Sequence, residues 1–301
     1  MKPAEQTARR WVGRPELDTL CGERLGGVLL EGLWAAGSLD GLLAPCVAIV
    51  GTRVPSDAGR RRARQLAAEL GEAGVCVVSG LALGIDGAAH AGALDAGAPT
   101  IGVLGGGHGH FFPPRHRELA DRIAACGGAV VSPFPPDNAP KPGQFLARNA
   151  VIAALADVVV VVEAALRSGA LNTAGHAGDR GIPVLAFPGE VDRPKAAGCN
   201  ALIRDGAVLV RDADDVLAAL PGYAAPPRPP GRRGRREPEH DADAPAVGRI
   251  VATLREGACD PGTLADRLAL SPVELFPLLA ELEVAGRIVS GADGYALAAR
   301  P

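Results

Sequence analysis

From Pro45 onward the chain repeats one pattern: a short, uniformly apolar segment, a small-residue exit, then a longer stretch of helical periodicity. CVAIVG, VCVVSG, TIGVLGGG, AVVSPF, DVVVVVEA and PVLAFPG are the apolar segments. None alternates apolar with polar residues, so neither face of the strands they form suits water. A parallel sheet covered by helices on both faces buries strands in that way. The expected fold class is therefore α/β, with a Rossmann-like, mostly parallel sheet. Ligands of such sheets bind beyond the carboxyl ends of the strands. The exits GTR, SGLALGID, GGGHGH, EAALRSGA and PGE are therefore expected to line one crevice.

The same pattern sets the expected domains. Residues 1–44 read as a short N-terminal helical region, in which LGGVLLEGLW is apolar at mixed spacing. Residues 45–220 form the sheet-containing core. Residues 221–244 carry GYAAPPRPPGRRGRREPEHDADAP, too rich in Pro, Arg and acid to bury a core, and read as a disordered linker. Periodicity returns at 245–301. Asp260 and Ser271 are placed as N-caps, Pro272 sits at a first helical position, and Asp293-Gly294 marks a hairpin turn. Three short helices and a hairpin are a winged-helix pattern.

Composition narrows the chemistry. Among 301 residues the formal net charge is -3, so nucleic-acid binding needs a local basic patch rather than a basic surface. The six cysteines form no C-x-x-C pair, and several lie in apolar runs, which fits buried free thiols in a reducing cytoplasm. No apolar run approaches the ~20 residues that span a bilayer, and MKPAEQTARRW lacks the apolar centre of a signal peptide. A cytoplasmic protein without a membrane partner is expected.

Four loops carry candidate residues. After the first strand, Arg53 presents a planar fork suited to phosphate. Arg60, Arg61, Arg62 and Arg64 crowd the start of the next helix, where each cation opposes the helix dipole by roughly 0.3–1 kcal/mol. They form either a solvated basic face or the seat of a polyanion. In VVSGLALGIDGAAH, Gly80 and Gly84 permit close backbone approach, and Ser79 can donate to a phosphate. Asp86 and His90 read as a helix cap and an inter-loop hydrogen bond rather than as an acid–base pair, since no nucleophile accompanies them.

KPGQFLARNAV places Lys141, Phe145, Arg148 and Asn149 at a helix entry. Basic residues interleaved with an aromatic suit a single strand, with phosphates on the cations and a base on the ring. Phe145 fits a core anchor equally well. Ser168-Gly169 opens a further helix containing Thr173, a second N-terminus able to hold phosphate. Glu163 ends a buried strand and is expected to tie loops together. His108 and His110 lack a third ligand, so no metal and no cofactor are expected.

Taken in order, these blocks resemble the DprA, or Smf, family of DNA-processing proteins through nearly all of residues 45–215. The family's G-S-R falls on Gly51, Thr52 and Arg53. Its S-G-x-A-x-G-I-D falls on Ser79, Gly80, Ala82, Gly84, Ile85 and Asp86. Its F-P-x-R-N-R falls on Phe145 through Ala150, and its S-G-S/A on Ser168, Gly169 and Ala170. The resemblance implies a single-stranded DNA-binding protein rather than an enzyme. It further implies a homodimer that shields incoming strands in natural transformation and helps load the RecA recombinase. It assigns the SGLALGID loop to cradling DNA phosphates with backbone amides.

The chain departs from the family pattern at several positions. Thr52 replaces Ser, Ala150 replaces the second Arg, Pro142 stands at a basic position, and Pro133 stands where Glu is frequent. The competing enzyme reading is a nucleotide-processing hydrolase of the lysine-decarboxylase-like group. Neither GGGHGHFFP nor FPGEVD reproduces that group's P-G-G-x-G-T-x-x-E loop. A duplex-reading winged helix is disfavoured by SPVELFPLLAELEVA, which holds acids and no Arg or Lys.

Overall fold

The computed structural model describes residues 9–223, 246–255, 257–291 and 294–298. The expected linker lies outside them from residue 224 onward. Two compact units are distinguished, Met1–Arg228 and Pro229–Pro301.

In the first unit, strands β1 (Arg10–Gly13) and β2 (Gly32–Gly37) flank helix α1 (Arg14–Cys21). There follow β3 (Cys46–Val50), α2 (Asp57–Glu72), β4 (Cys76–Ser79), α3 (Ile85–Asp95), β5 (Thr100–Val103), α4 (Arg117–Ala125) and β6 (Ala129–Ser132). The second half runs α5 (Pro142–Ala154), β7 (Val158–Val161), α6 (Gly169–Gly178), β8 (Val184–Ala186), α7 (Ala197–Arg204), β9 (Val208–Leu209) and α8 (Ala213–Ala218). The nine strands make one sheet in the order β1-β2-β6-β5-β4-β3-β7-β8-β9. Every pairing from β6 to β9 is parallel.

The uniformly apolar strands divide their side chains between two layers, as a period of two requires. Ala48, Val50, Val159 and Val161 face α5 and α6. Val47, Ile49, Val158 and Val160 face α2, α3 and α8. Aromatics are 3% of the chain, and alanine fills much of both layers. Helix α2 shows how sequence sets position. Ser56 caps it by accepting from Gly59 N at 3.0 Å, and Ala63, Leu66, Ala67 and Leu70 form its buried face. Arg60, Arg61, Arg62 and Arg64 are left pointing to solvent.

The N-terminal region corrects the sequence expectation. Residues 10–13 and 32–37 are strands rather than helices, and only Arg14–Cys21 is α-helical. β2 pairs antiparallel with β6 and β1 antiparallel with β2, so the segment extends the sheet and covers what would be an open edge. Its mixed apolar spacing reflects a segment that runs from a short 3₁₀ turn ending at Leu25 through a loop with Leu29 exposed into β2. Trp11 and Trp34, the only two tryptophans of the chain, are cross-strand partners with ring centroids 5.6 Å apart. Val12, Leu17, Leu25 and Leu33 join the core layer of α5 and α6, so the region is part of the core domain.

The second unit holds α9 (Ala246–Leu254), α10 (Pro261–Leu268), α11 (Pro272–Val284) and the hairpin β10 (Ile288–Gly291) and β11 (Gly294–Leu297). This is the helix–helix–helix–hairpin order expected from the sequence. Asp260 caps α10 through Thr263 N at 3.1 Å, and Ser271 with Glu274 forms a capping box on α11. Cys259 pairs with Tyr295, adding a third antiparallel segment to the hairpin. The turn position Asp293 lies outside the described residues. Among the described helices of both units, none is long and apolar enough to cross a membrane.

Candidate nucleic-acid interface

β3 leads through α2 to β4 on one side, whereas β7 leads through α6 to β8 on the other. The connections leaving the two central strands therefore diverge to opposite sides beyond their carboxyl ends, which opens a crevice at the switch point. Glu163 divides it: its carbonyl accepts from Thr52 N at 2.7 Å, bridging the two exits. On one side lies a cavity of about 280 Å³ with Gly51, Thr52, Arg53, Phe145, Arg148, Asn149, Ser168, Gly169 and Thr173 in its wall. On the other lies a cavity of about 360 Å³ bounded by α2 and the exit of β8. The expectation of one crevice is thus corrected to two, and the PGE exit belongs to the second.

The SGLALGID loop is built around its own carboxylate. Asp86 is expected from the sequence to cap α3, but it lies inside the first turn of that helix and reaches back. Its Oδ2 accepts from Gly80 N at 3.1 Å and Ala82 N at 3.3 Å. The turn's amides therefore hold an internal anion. Arg148 lies beside it, donating to the Gly80 carbonyl and, at 2.6 Å, to the Val103 carbonyl. Gly80 is wedged between them, where an added Cβ would lie 2.2 Å from Arg148 Nη1 and 2.7 Å from Asp86 Oδ2. Burial raises the Asp86 pKa, opposed by the Arg148 charge, and burial lowers that of Arg148 to about 10.

Four of the residues expected to meet DNA, Ser79, Gly80, Gly84 and Lys141, are not in the wall of this cavity. Ser79 is fully buried and donates its hydroxyl to Ile49 O at 2.6 Å. Gly80 has its amide on Asp86. Gly84 has φ +89°, and a Cβ there would lie 2.4 Å from Thr52 O, so it seats the loop against the β3 exit. Lys141 is exposed, and its backbone N–H donates to Gln144 Oε1 at 2.8 Å in the capping box of α5. Arg148 and Asn149 line the cavity but are buried, and Asn149 Nδ2 donates to Gly169 O at 3.1 Å. Both hold the walls in place. Arg148 Nε has no acceptor among the described residues.

What faces solvent is a smaller set. Arg53 is exposed at the mouth, its Cζ 5.7 Å from the centroid of the Phe145 ring. Phe145 combines both of its expected readings. One side packs on Gly105, where a Cβ would lie 2.6 Å from its ring, and the ring stays only half-buried beside the cavity. Ser168 caps α6 by accepting from Ala170 N at 3.2 Å and turns that helix N-terminus toward the same space. Val50, Ile152 and Ala165 complete the wall. The sequence offered no signal for these three, because their contribution is shape alone.

The remaining titratable residues hold the fold. Glu163 accepts from Ser56 N at 2.9 Å and Ser56 Oγ at 3.0 Å, joining the β7 exit to α2. His90 is fully buried with Nδ1 2.8 Å from Thr100 Oγ1, whose proton goes to Val77 O. His90 therefore carries its proton on Nδ1, and burial pushes its pKa down to about 3. His108 Nε2 lies 2.9 Å from Val130 O, a structural bond rather than a ligand position.

The comparisons follow the geometry. The family model of DNA recombination-mediator protein A matches residues 30–221. A DNA processing protein DprA of Mycobacterium tuberculosis is 42% identical over 262 residues, covering 84% of this chain and 65% of its own length. The Smf protein of Escherichia coli is 37% identical over 264 residues, covering 87% of this chain and 70% of its own. The chain thus spans about two thirds of the length of these relatives. Among solved structures, DprA of Streptococcus pneumoniae superposes with a TM-score of 0.65 at 37% identity, over 72% of this chain and 76% of that one. DNA processing protein A of Helicobacter pylori, whose structure is described as giving insight into its single-stranded DNA binding mode, gives 0.61 at 28% identity, over 69% of this chain and 93% of that one. With the family model covering the sheet and the crevice together, the chain belongs to the DNA recombination-mediator protein A family, the DprA/Smf proteins.

Proposed function

We propose that this protein binds single-stranded DNA at the smaller cavity and passes the strand to RecA recombinase during DNA processing and natural transformation. The observation that carries the reading is Arg53, exposed and poised over the half-buried Phe145 ring beside the N-terminus of α6. A phosphate finds a guanidinium and the positive end of the α6 dipole there, and the adjoining base finds an aromatic surface. A cavity of about 280 Å³ suits one nucleotide at a time, not a duplex. Asp86, His90 and Glu163 are engaged in internal hydrogen bonds, which supports binding rather than chemistry as the role of the site. The single-strand mode of the Helicobacter relative and the recombination-mediator description of the family support the same assignment.

The protein acts as a homodimer in this reading. Val208 and Leu209 on the edge strand β9 are 52% and 42% exposed, an apolar edge that a second copy would cover. The free state of all six cysteines supports a cytoplasmic setting. The domain plan is an extended core, a linker and a winged helix whose α11 contacts protein rather than duplex DNA.

The test is binding of a fluorescent oligo-dT across a salt series, with duplex of equal length as competitor. Log K should fall with log salt by roughly 0.7 per phosphate contact. Arg53→Ala should weaken binding about tenfold or more on every sequence, the value of a lost charge-assisted hydrogen bond. Affinity that ignores both salt and Arg53 would overturn the assignment.

A further inference from the structure

The exit of β5 carries two consecutive phenylalanines that have no part in the single-strand reading so far. Phe111 turns inward and joins Leu81, Leu104 and Ile123 in a small core cluster. The Arg117 guanidinium lies 4.6 Å from its ring centroid. Phe112 turns outward and is 48% exposed. The anchoring role is therefore filled by Phe111, and Phe112 keeps its ring in solvent. The segment that carries it is held at both ends. Phe111 fixes one end in the core. At the other, His116 Nδ1 lies 2.9 Å from Leu81 O, and a Cβ on Gly87 in the first turn of α3 would lie 2.5 Å from His116 Cε1.

A single exposed apolar ring is ordinary, so the surroundings of Phe112 decide its role. It meets Phe145 edge to face, with ring centroids 5.9 Å apart and planes inclined at 69°. Phe145 is half-buried, with Gly105 under its ring and the Arg53 guanidinium 5.7 Å from its centroid. Among the described residues no cation lies over Phe112. Of the two rings, Phe112 is the more open to a flat ligand. Arg115, three residues further on, is exposed and forms no ion pair among the described residues. Exposed aromatics interleaved with unpaired cations are the composition of a single-strand track. Neighbouring bases in a helical stack lie parallel and rise by about 3.4 Å. Rings 5.9 Å apart and inclined at 69° cannot hold two bases in that way. They suit two bases parted from one another, as in an unstacked single strand.

We propose that Phe112 is a second base platform, on which one base of a single strand stacks while Arg53 and Phe145 hold the neighbouring nucleotide. The inclination of the two rings keeps the two bases from stacking on each other. This inference rests on the single-strand reading of the crevice and extends its site from one nucleotide to two.

Anisotropy of a fluorescent oligo-dT on the full chain tests this, with Phe112→Ala, Phe112→Leu and Phe112→Trp. Alanine and leucine should each weaken binding by roughly five- to 150-fold, the value of one stacked base, and tryptophan should keep it. The salt slope and the Tm should stay at wild-type values, because the ring carries no charge and lies outside the core. In a Phe145→Ala background, Phe112→Ala should cost a similar factor again. If that second loss vanishes, Phe112 only braces Phe145 and the proposal fails. Contact is read by photocrosslinking a strand in which 5-iodouracil replaces every thymine. A crosslink should map to Phe112; one confined to Phe145 would count against the platform. Oligo-dT affinity weakened in Arg53→Ala but unchanged in Phe112→Ala would overturn this inference alone. Binding that ignores Arg53 would overturn the crevice reading, and this inference with it.

Discussion

Gly84→Ala tests the link between loop geometry and binding. Gly84 has φ +89° and ψ -122°, a conformation that L-residues avoid. Its missing Cβ would lie 2.4 Å from Thr52 O and 2.7 Å from both C and O of Arg53. These are backbone atoms and cannot turn aside as a side chain can. Conformational strain is worth about 1–2 kcal/mol and forced overpacking about 1–3 kcal/mol, so the substitution should destabilise the core by roughly 2–5 kcal/mol. In a domain of this size that is a fall in Tm of about 4–20 °C. Relief of the clash moves the Thr52–Arg53 backbone and breaks the bond from Ile85 N to Thr52 O, now 3.2 Å. Arg53 then leaves its place over Phe145, and oligo-dT affinity should drop about tenfold, as in Arg53→Ala. Gly74→Ala is the control. Its φ is +80°, but nothing lies within 4 Å of the added Cβ, so it should show the strain alone and normal binding. Calorimetric melts and oligo-dT titrations of the two variants decide the matter. If Gly84→Ala melts and binds like Gly74→Ala, the loop is not seated by contact with the β3 exit and the reasoning fails.

Three further outcomes are expected. Phe145→Ala should weaken oligo-dT binding by about 1–3 kcal/mol while Phe145→Trp keeps it, measured by fluorescence anisotropy; equal loss in both would mean the ring acts only as packing. His90 is held neutral with a pKa near 3 against an ordinary 6.5, so the unfolded chain binds the extra proton first. Its stability contribution is complete above pH 6.5 and is lost as pH falls toward 3, with a slope up to about 1.4 kcal/mol per pH unit. Replacing His90 with Gln should flatten that acid limb in urea titrations, and an unchanged limb would refute the assignment. Asp86→Asn keeps the shape but removes the anion between two amides and Arg148, and should destabilise by about 3 kcal/mol or more in the same titrations.

The parallel sheet was legible because its signal is a property of each strand alone: CVAIV, VVVV and their neighbours are apolar at every position. The N-terminal strands were not. Their pairing depends on β6, about a hundred residues away, and the local spacing of LGGVLLEGLW resembles no single period. The same division holds at the site. Arg53, Phe145 and Ser168 announce themselves by residue type at a strand exit or helix entry. The outward or inward direction of a side chain is set by tertiary contact, so the burial of Ser79, Arg148 and Asn149 could not be read from their motifs.

This direction of burial also bears on how, in the proposed reading, a chain with a formal charge of -3 would hold a polyanion. A glycine turn facing a phosphate usually needs the ligand to satisfy its amides. Here Asp86 satisfies Gly80 and Ala82 in advance, and Arg148 offsets that carboxylate from inside the wall. The loop is thereby ordered without DNA, and binding does not have to organise it. The arrangement also removes the loop and Arg148 from direct competition for the strand. What remains for the strand in the proposed reading is the exposed Arg53 and the N-terminal end of α6. If the protein hands its strand to a recombinase, as proposed above, weak and replaceable phosphate contacts on a rigid frame serve that role. The salt slope should therefore be set by Arg53 and its exposed neighbours on α2, and Arg148→Gln should act mainly on Tm. If Arg148→Gln reduced the salt slope as Arg53→Ala does, while leaving Tm unchanged, the buried guanidinium would be a DNA contact and the frame would have to be drawn elsewhere.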